Sequence, residues 1–152
     1  MAEFSVEQFK ATFRDLQQEM SKARKLGCDT FIAELKLKAI PSKIMILSVT
    51  EQEKEKAAVQ QLISQTHQEL SEAMQKFLDE QDQQLMLELQ FSNPEQKMKK
   101  LIEAAERLLS LQQKERAQKI YALLIESYNA LPDQTKQVFY KQCAEIEQHL
   151  QT

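Results

Sequence analysis

Glycine is almost absent from this chain, and its absence constrains the fold more than any other feature of the sequence. The 152 residues include one Gly and three Pro. A β-rich fold of this length needs turn residues about every ten positions, and the sequence does not supply them. Gln, Glu, Leu, Ala and Lys are abundant instead, and all of them favour helices. We therefore predict an all-α, single-domain bundle of about six helices, with one long helix and a C-terminal helical hairpin.

The one glycine separates the first two predicted helices. A regular apolar stripe indicates a helix from Ser5 to Leu26, and Gly27 then ends it in the left-handed conformation. Asp29 is placed to cap a second helix. The predicted buried face of this second helix comprises Phe31, Ile32, Leu35 and Ala39.

A proline interrupts the apolar pattern soon afterwards. Because proline lacks an N–H group, we expect Pro41 to stop the second helix or to bend the path of the chain. The segment that follows, KIMILSV at residues 43–49, is apolar and partly β-branched. A lone strand would leave its backbone groups unsatisfied, so we favour a short buried helix. A strand here would need a second copy of the chain to pair with.

A long acidic helix is predicted across residues 50–92. Thr50 and Glu53 have the spacing of a capping box, with Glu51 in the same first turn. Apolar residues then alternate at spacings of four and three, as in a coiled-coil seam. These residues are Val59, Ile63, Thr66, Leu70, Ala73 and Phe77. The pattern lapses at residues 79–84, but no Gly or Pro interrupts it, so we favour a continuous or slightly kinked helix over a break near residues 80–84.

Charge and pattern together divide the chain into three parts. Residues 1–49 form the N-terminal helices, residues 50–92 the long acidic helix or arm, and residues 93–152 a C-terminal part of three helices. Residues 50–95 carry three basic and ten acidic side chains, a net charge of −7, whereas residues 1–49 and 96–152 each carry +2. The acidic middle is interpreted as packing beside the basic ends, the alternative being an arm offered to a basic partner.

The C-terminal part carries the pattern of a tightly packed helical hairpin. The residues that define it are Leu101, Ala104, Ala105, Leu108, Ala117 and Tyr121. Over residues 101–131 this pattern resembles one tetratricopeptide-type hairpin, which implies two antiparallel helices that can expose a peptide-binding groove. No second copy follows at a period of about 34 residues, so no array is implied. The segments DTFIAELKLKAIPSKI and LPDQTKQVFYKQCAEI are also similar to phrases in small helical archaeal proteins, to which we attach no function.

Sequence signals for catalysis and metal binding are missing. The chain has no glycine-rich phosphate loop, no HExxH and no GxSxG. No Glu is followed three residues later by a His, the spacing that carboxylate metal sites use in helical bundles. Cys28 and Cys143 fit apolar positions, so both are interpreted as buried structural thiols. We therefore expect no enzymatic activity, no cofactor, no metal and no small-molecule substrate.

The remaining expectation is protein–protein interaction by a small cytoplasmic adaptor or regulatory subunit that binds another protein or a second copy of itself. The candidate contact residues are Val59, Ile63, Leu70, Phe77, Tyr121 and Tyr128. For any single one of them, burial within the monomer is the interpretation we favour. No membrane association is expected, because no apolar run approaches the length of a span and the N-terminus lacks the pattern of a secretion signal.

The alternative hypothesis is binding of RNA, the ribosome or another nucleic acid through lysine-rich helix faces. The candidate basic groups are Lys22, Arg24 and Lys25; Lys36, Lys38 and Lys43; and Lys97, Lys99 and Lys100. Aromatic residues that would stack on bases are not interleaved with them. The simpler interpretation is that these are ordinary basic residues on the protein surface.

Overall fold

The computed structural model describes residues 5–50 and 52–152, which form six α-helices. The helices are α1 (Val6–Leu26), α2 (Phe31–Thr50), α3 (Glu53–Gln90), α4 (Pro94–Ser110), α5 (Lys114–Asn129) and α6 (Asp133–Gln151). No strand occurs among the described residues, so the prediction of an all-α bundle of about six helices is confirmed. The contacts group into two compact units, the first ending at Gln81 and the second beginning at Asp82.

Capping boxes fix the start of two helices. At α1, the Ser5 hydroxyl accepts a hydrogen bond from the Gln8 N–H at 3.3 Å, and Gln8 Oε1 accepts one from the Ser5 N–H at 2.7 Å. At α4, Asn93 and Gln96 make the same pair of bonds at 2.8 and 3.2 Å, and Pro94 is the first helical residue. Each box satisfies two backbone donors that a helix end would otherwise leave unpaired. The start predicted at Ser5 is confirmed, and α4 begins the C-terminal part that was predicted from residue 93.

Gly27 ends α1 with the left-handed backbone predicted for it. Its φ is 97° and its ψ is 14°. The Gly27 N–H donates to the Arg24 carbonyl at 3.0 Å, and the Cys28 N–H donates to the Ala23 carbonyl at 3.1 Å. This pair of bonds is the Schellman motif, in which the residue after the helix must turn left-handed. The chain therefore reverses here because of its single glycine.

Helix α2 continues through Pro41, so the prediction that the proline would end it was wrong. Asp29 Oδ1 accepts a hydrogen bond from the Phe31 N–H at 3.3 Å where α2 begins, as its position suggested. The Pro41 side chain is exposed, and Ile40 and Ile44 on either side of it are buried in one core cluster. Each buried isoleucine stabilises the fold by about 1.5–3 kcal/mol. Together they offset the roughly 3 kcal/mol that a proline costs inside a helix.

The predicted buried face of α2 was also wrong. Phe31, Ile32, Leu35 and Ala39 are all exposed. The buried residues of this helix are Ala33, Ile40, Ile44 and Leu47, on its other side. Residues 43–49 are the second half of the same helix, so the strand alternative was wrong as well. The sequence pattern could not choose a face because α2 is apolar on both sides.

Two clusters of apolar side chains form the core of the first unit. One cluster contains Phe9, Leu16, Ile40, Ile44, Leu47 and Val59. The other contains Met20, Ala23, Cys28, Ala33 and Leu70. The polar Thr66 is also fully buried, and its hydroxyl donates to the Leu62 carbonyl at 2.8 Å. Helices α1, α2 and the first part of α3 are therefore held together by one continuous set of apolar faces.

Helix α3 is unbroken from Glu53 to Gln90, through the segment where the apolar pattern lapses. The predicted capping role of Thr50 was wrong, because Thr50 is the last residue of α2 and its hydroxyl donates to the Ile46 carbonyl at 3.0 Å. The predicted contribution of Glu51 lies outside the described residues.

The second unit contains the end of α3 and helices α4, α5 and α6. Helices α4 and α5 pack as a hairpin around the turn at residues 111–113, and α6 packs against both. Buried alanines, Ala104, Ala105 and Ala117, allow the two hairpin helices to approach closely. Asp82 accepts a hydrogen bond from Arg116 Nη1 at 2.9 Å, which ties the end of α3 to α5. The predicted C-terminal helical hairpin is thus present.

Candidate interaction surface

The outer face of α2 presents a row of large apolar side chains to solvent. Their exposed fractions are Phe31 63%, Ile32 52%, Leu35 53%, Met45 69%, Ile46 45% and Val49 81%. We call these six residues the α2 stripe. At about 100° per residue they fall within an arc of roughly 140° around the helix axis. The six side chains therefore lie along one side of the helix.

The α2 stripe is large for an exposed apolar surface. From Phe31 to Val49 it extends about 27 Å, at a rise of about 1.5 Å per residue. With about 150–250 Å² as the area of a large side chain, the six residues expose roughly 600 Å². The largest apolar patch on a monomeric soluble protein is typically about 300–600 Å² and is often functional, and the stripe lies at the top of that range. Burial of this surface would release a substantial hydrophobic free energy.

The middle of the stripe differs from its ends. Between Leu35 and Met45 the same face carries Lys38, Ala39 and Ser42, all exposed. The Ser42 hydroxyl donates to the Ala39 carbonyl at 3.2 Å, so it is already partnered within the helix. The stripe thus has two bulky apolar ends and a low centre of small side chains beside one lysine.

Charged residues around the stripe are partly neutralised within the first unit. Glu34 is ion-paired with Arg24 of α1. Lys36 Nζ lies 2.9 Å from Glu69 Oε1 of α3. The exposed cations of α2 that lie on or beside the stripe are then Lys38 and Lys43.

The four α3 residues predicted to contact a partner belong to the core of the first unit. Val59 and Leu70 are buried members of the two core clusters. Ile63 and Phe77 are partly buried and pack against the same clusters. These side chains are therefore occupied by α1 and α2 of the same chain.

The two predicted tyrosines lie in α5 of the second unit. Both are partly buried. Burial, together with nearby Glu147 and Cys143, raises the pKa of Tyr121. The ring of Tyr128 lies beside Lys136 Nζ, 5.8 Å from its centroid, in a cation–π contact. The structure places both tyrosines on one helix of the second unit.

The sequence pattern did not reveal the α2 stripe, because we predicted that its residues would be buried. One signal could have found it. Apolar residues occur on all sides of α2, and an all-round apolar helix is normally enclosed on all sides. In the first unit, α1 and α3 pack against only one side of α2. An uncovered apolar face is the consequence.

Each unit has an open cavity among its described residues. The first, of about 320 Å³, lies between the start of α2 and α3 and has Asp29, Glu69, Glu72 and Glu80 on its wall together with Lys76. The second, of about 370 Å³, lies between α4 and α6. Within the described parts of the chain, no three His, Cys, Asp or Glu side chains are placed to hold a metal ion.

Both cysteines are free and buried. The Cys28 Sγ lies 3.9 Å from the Met74 Sδ in the core of the first unit. Loss of solvation raises the pKa of the Cys28 and Cys143 thiols. A thiol whose pKa is raised by apolar surroundings is a poor nucleophile at neutral pH.

Comparison with known proteins assigns no function to the α2 stripe. No protein-family model, curated protein or solved structure matches the chain. No helix in the described ranges is both long enough and apolar enough to cross a membrane. The exposed apolar side chains of the α2 stripe are therefore the main indication of function.

Proposed function

We propose that this protein is a non-enzymatic protein–protein interaction module, a small cytoplasmic adaptor or regulatory subunit whose contact surface is the α2 stripe. The observation that carries the proposal is the roughly 600 Å² of apolar side-chain surface on one helix face. A single exposed Phe, Met or Val is common on a protein surface, but six such residues on one side of one helix are costly to leave uncovered. A helix face of this length also provides a rigid, preformed surface for a partner.

The contacts of the basic residues favour this function over nucleic-acid binding. In the three candidate basic groups, Arg24 is paired with Glu34 and Lys36 with Glu69. Lys100 Nζ lies 3.8 Å from Glu88 Oε2. A phosphate would have to compete with these carboxylates. Nucleic-acid affinity depends mainly on unpaired cations that release counterions, and each group offers fewer of them than its sequence suggests.

The test uses a variant of the stripe and a matched control. Leu35→Glu with Met45→Glu places two charges on the stripe, at positions already exposed in the folded chain. Val138→Glu changes an equally apolar and exposed residue of α6, 69% exposed, outside the stripe. Tagged wild type and both variants are used to capture partners from native cells, and circular dichroism verifies that all three are folded.

We expect wild type and Val138→Glu to capture a partner protein in stoichiometric amount, and the stripe variant not to capture it. The partner can be an untagged copy of the chain. Capture of RNA or ribosomes that is lost at high salt and unaffected by the stripe variant would overturn the proposal in favour of the lysine faces. Equal capture by all three proteins would also overturn it.

A further inference from the structure

We infer that the partner that covers the α2 stripe is a second copy of this chain, in an antiparallel homodimer whose two-fold axis passes beside Ile40. This inference rests on the proposed function and specifies its partner. In this arrangement α2 of one copy lies along α2 of the other at a small crossing angle, as two helix faces commonly pack.

The order of side chains along the stripe makes it complementary to its own reverse. When two copies of α2 run antiparallel about Ile40, Phe31 lies opposite the partner's Val49. In the same register Leu35 lies opposite the partner's Met45. A bulky apolar residue therefore meets another at both ends of the contact. A closed symmetric dimer needs this kind of self-complementary patch.

The centre of the stripe fits the same register. Ala39 and Ser42 are small, so the two helices can approach closely at the axis. Lys38 lies opposite the partner's Ser42, whose small side chain leaves room for the lysine to turn outward. Lysine can also extend its methylene stem along the apolar surface while its charge reaches solvent.

The area is sufficient for a dimer of modest strength. Two stripes of roughly 600 Å² together bury at most about 1,200 Å², the lower end of the range for specific interfaces. A single α2 stripe covered by a shorter or flatter surface would leave one of its bulky ends in water. A second copy covers both ends because it has the same length and the same spacing of large side chains.

The charges at the proposed contact predict that added salt strengthens the dimer. Lys38 of each copy lies on the stripe and Lys43 lies at its edge, whereas Lys36 and Glu34 are paired with Glu69 and Arg24 of their own chain. The dimer therefore brings like charges together. Screening by salt weakens that repulsion. We expect the dimer to be several-fold tighter at high than at low ionic strength, the reverse of nucleic-acid binding.

The first experiment measures the dissociation constant of the purified chain by sedimentation equilibrium, from micromolar to near-millimolar concentration and at two salt concentrations. Leu35→Glu with Met45→Glu should raise the dimer dissociation constant by at least about 100-fold, because each copy buries two unpaired charges. Val138→Glu should leave it unchanged. Lys38→Met should lower it by about 10-fold, because it removes the central repulsion.

The second experiment tests the orientation by cross-linking. Phe31→Cys and Val49→Cys are prepared separately and oxidised gently, alone and as a mixture. The antiparallel register predicts a covalent dimer in the mixture only, because residue 31 of one copy lies beside residue 49 of the other. Covalent dimers in each variant alone would indicate parallel helices and overturn the register. Wild type is the control for its two buried thiols.

The failures of the two proposals are distinguishable. A wild-type chain that stays monomeric at every concentration and salt overturns the homodimer, while stripe-dependent capture of a different protein would leave the proposed function standing. Dimerisation that the stripe variant does not weaken overturns the α2 contact. Stripe-dependent binding to phospholipid vesicles by a monomeric chain would overturn both proposals.

Discussion

Gly27→Ala tests whether the left-handed turn after α1 stabilises the fold through its backbone. Gly27 has φ 97°, a region that residues with a Cβ atom rarely adopt. A Cβ atom built at this position would lie 3.6 Å from Phe77 Cε2, an ordinary van der Waals distance. The substitution therefore introduces backbone strain without a steric clash, and its cost can be assigned to φ.

The expected cost follows from two opposing contributions. A left-handed residue with a Cβ atom costs about 1–2 kcal/mol. Replacing glycine also lowers the entropy of the unfolded chain, which favours the folded state by about 0.4–1 kcal/mol. The net loss in the free energy of unfolding is therefore about 1 kcal/mol, or a fall in Tm of about 2–4 °C for a chain of this size.

Urea unfolding followed by far-ultraviolet circular dichroism measures this difference. Gly27→Asn is the matched control, because asparagine adopts the left-handed region more readily and should lose less stability than alanine. Gly27→Val should lose more than alanine, since its branched Cβ is the most restricted. An alanine variant as stable as wild type, or an asparagine variant less stable than alanine, would refute the argument from backbone strain.

Four further outcomes are expected. Pro41→Ala should raise the free energy of unfolding by about 1–2 kcal/mol in urea titration, because it restores a backbone donor inside α2 at an exposed position. Leu124→Ala, at a fully buried site of α5, should lower it by about 2–5 kcal/mol in the same assay. Alkylation of Cys28 and Cys143 by iodoacetamide should be much slower in the native than in the urea-unfolded chain, because burial raises the pKa of both thiols. For the same reason stability should decrease as pH rises through the ordinary thiol pKa, where the unfolded chain loses its thiol protons first.

Local sequence rules predicted the ends of several helices because the relevant interactions span only a few residues. The Ser5–Gln8 and Asn93–Gln96 boxes close over three residues, so residue type and spacing alone are enough to specify them. Gly27 was placed correctly for a similar reason, since left-handed backbone at a helix end favours glycine in almost any fold. The same reasoning failed at Thr50, whose hydroxyl bonds back to its own helix.

Pro41 shows where local rules are insufficient. A proline inside a helix is unfavourable by itself, so the sequence indicated an end or a bend. The buried side chains before and after it, Ile40 and Ile44, contribute to one cluster with α1 and α3. Their burial requires neighbouring helices that no local window contains.

By itself the sequence determined that the chain is helical, where α1 and α4 begin and that Gly27 reverses the chain, because each follows from short-range backbone chemistry. Only the tertiary structure decided which side of α2 faces the core. Its two faces are almost equally apolar, so the choice depends on the fit of Ile44 and Leu47 against Phe9 and Val59. The face that α1 and α3 leave uncovered is the α2 stripe, and its exposure follows from packing between distant segments.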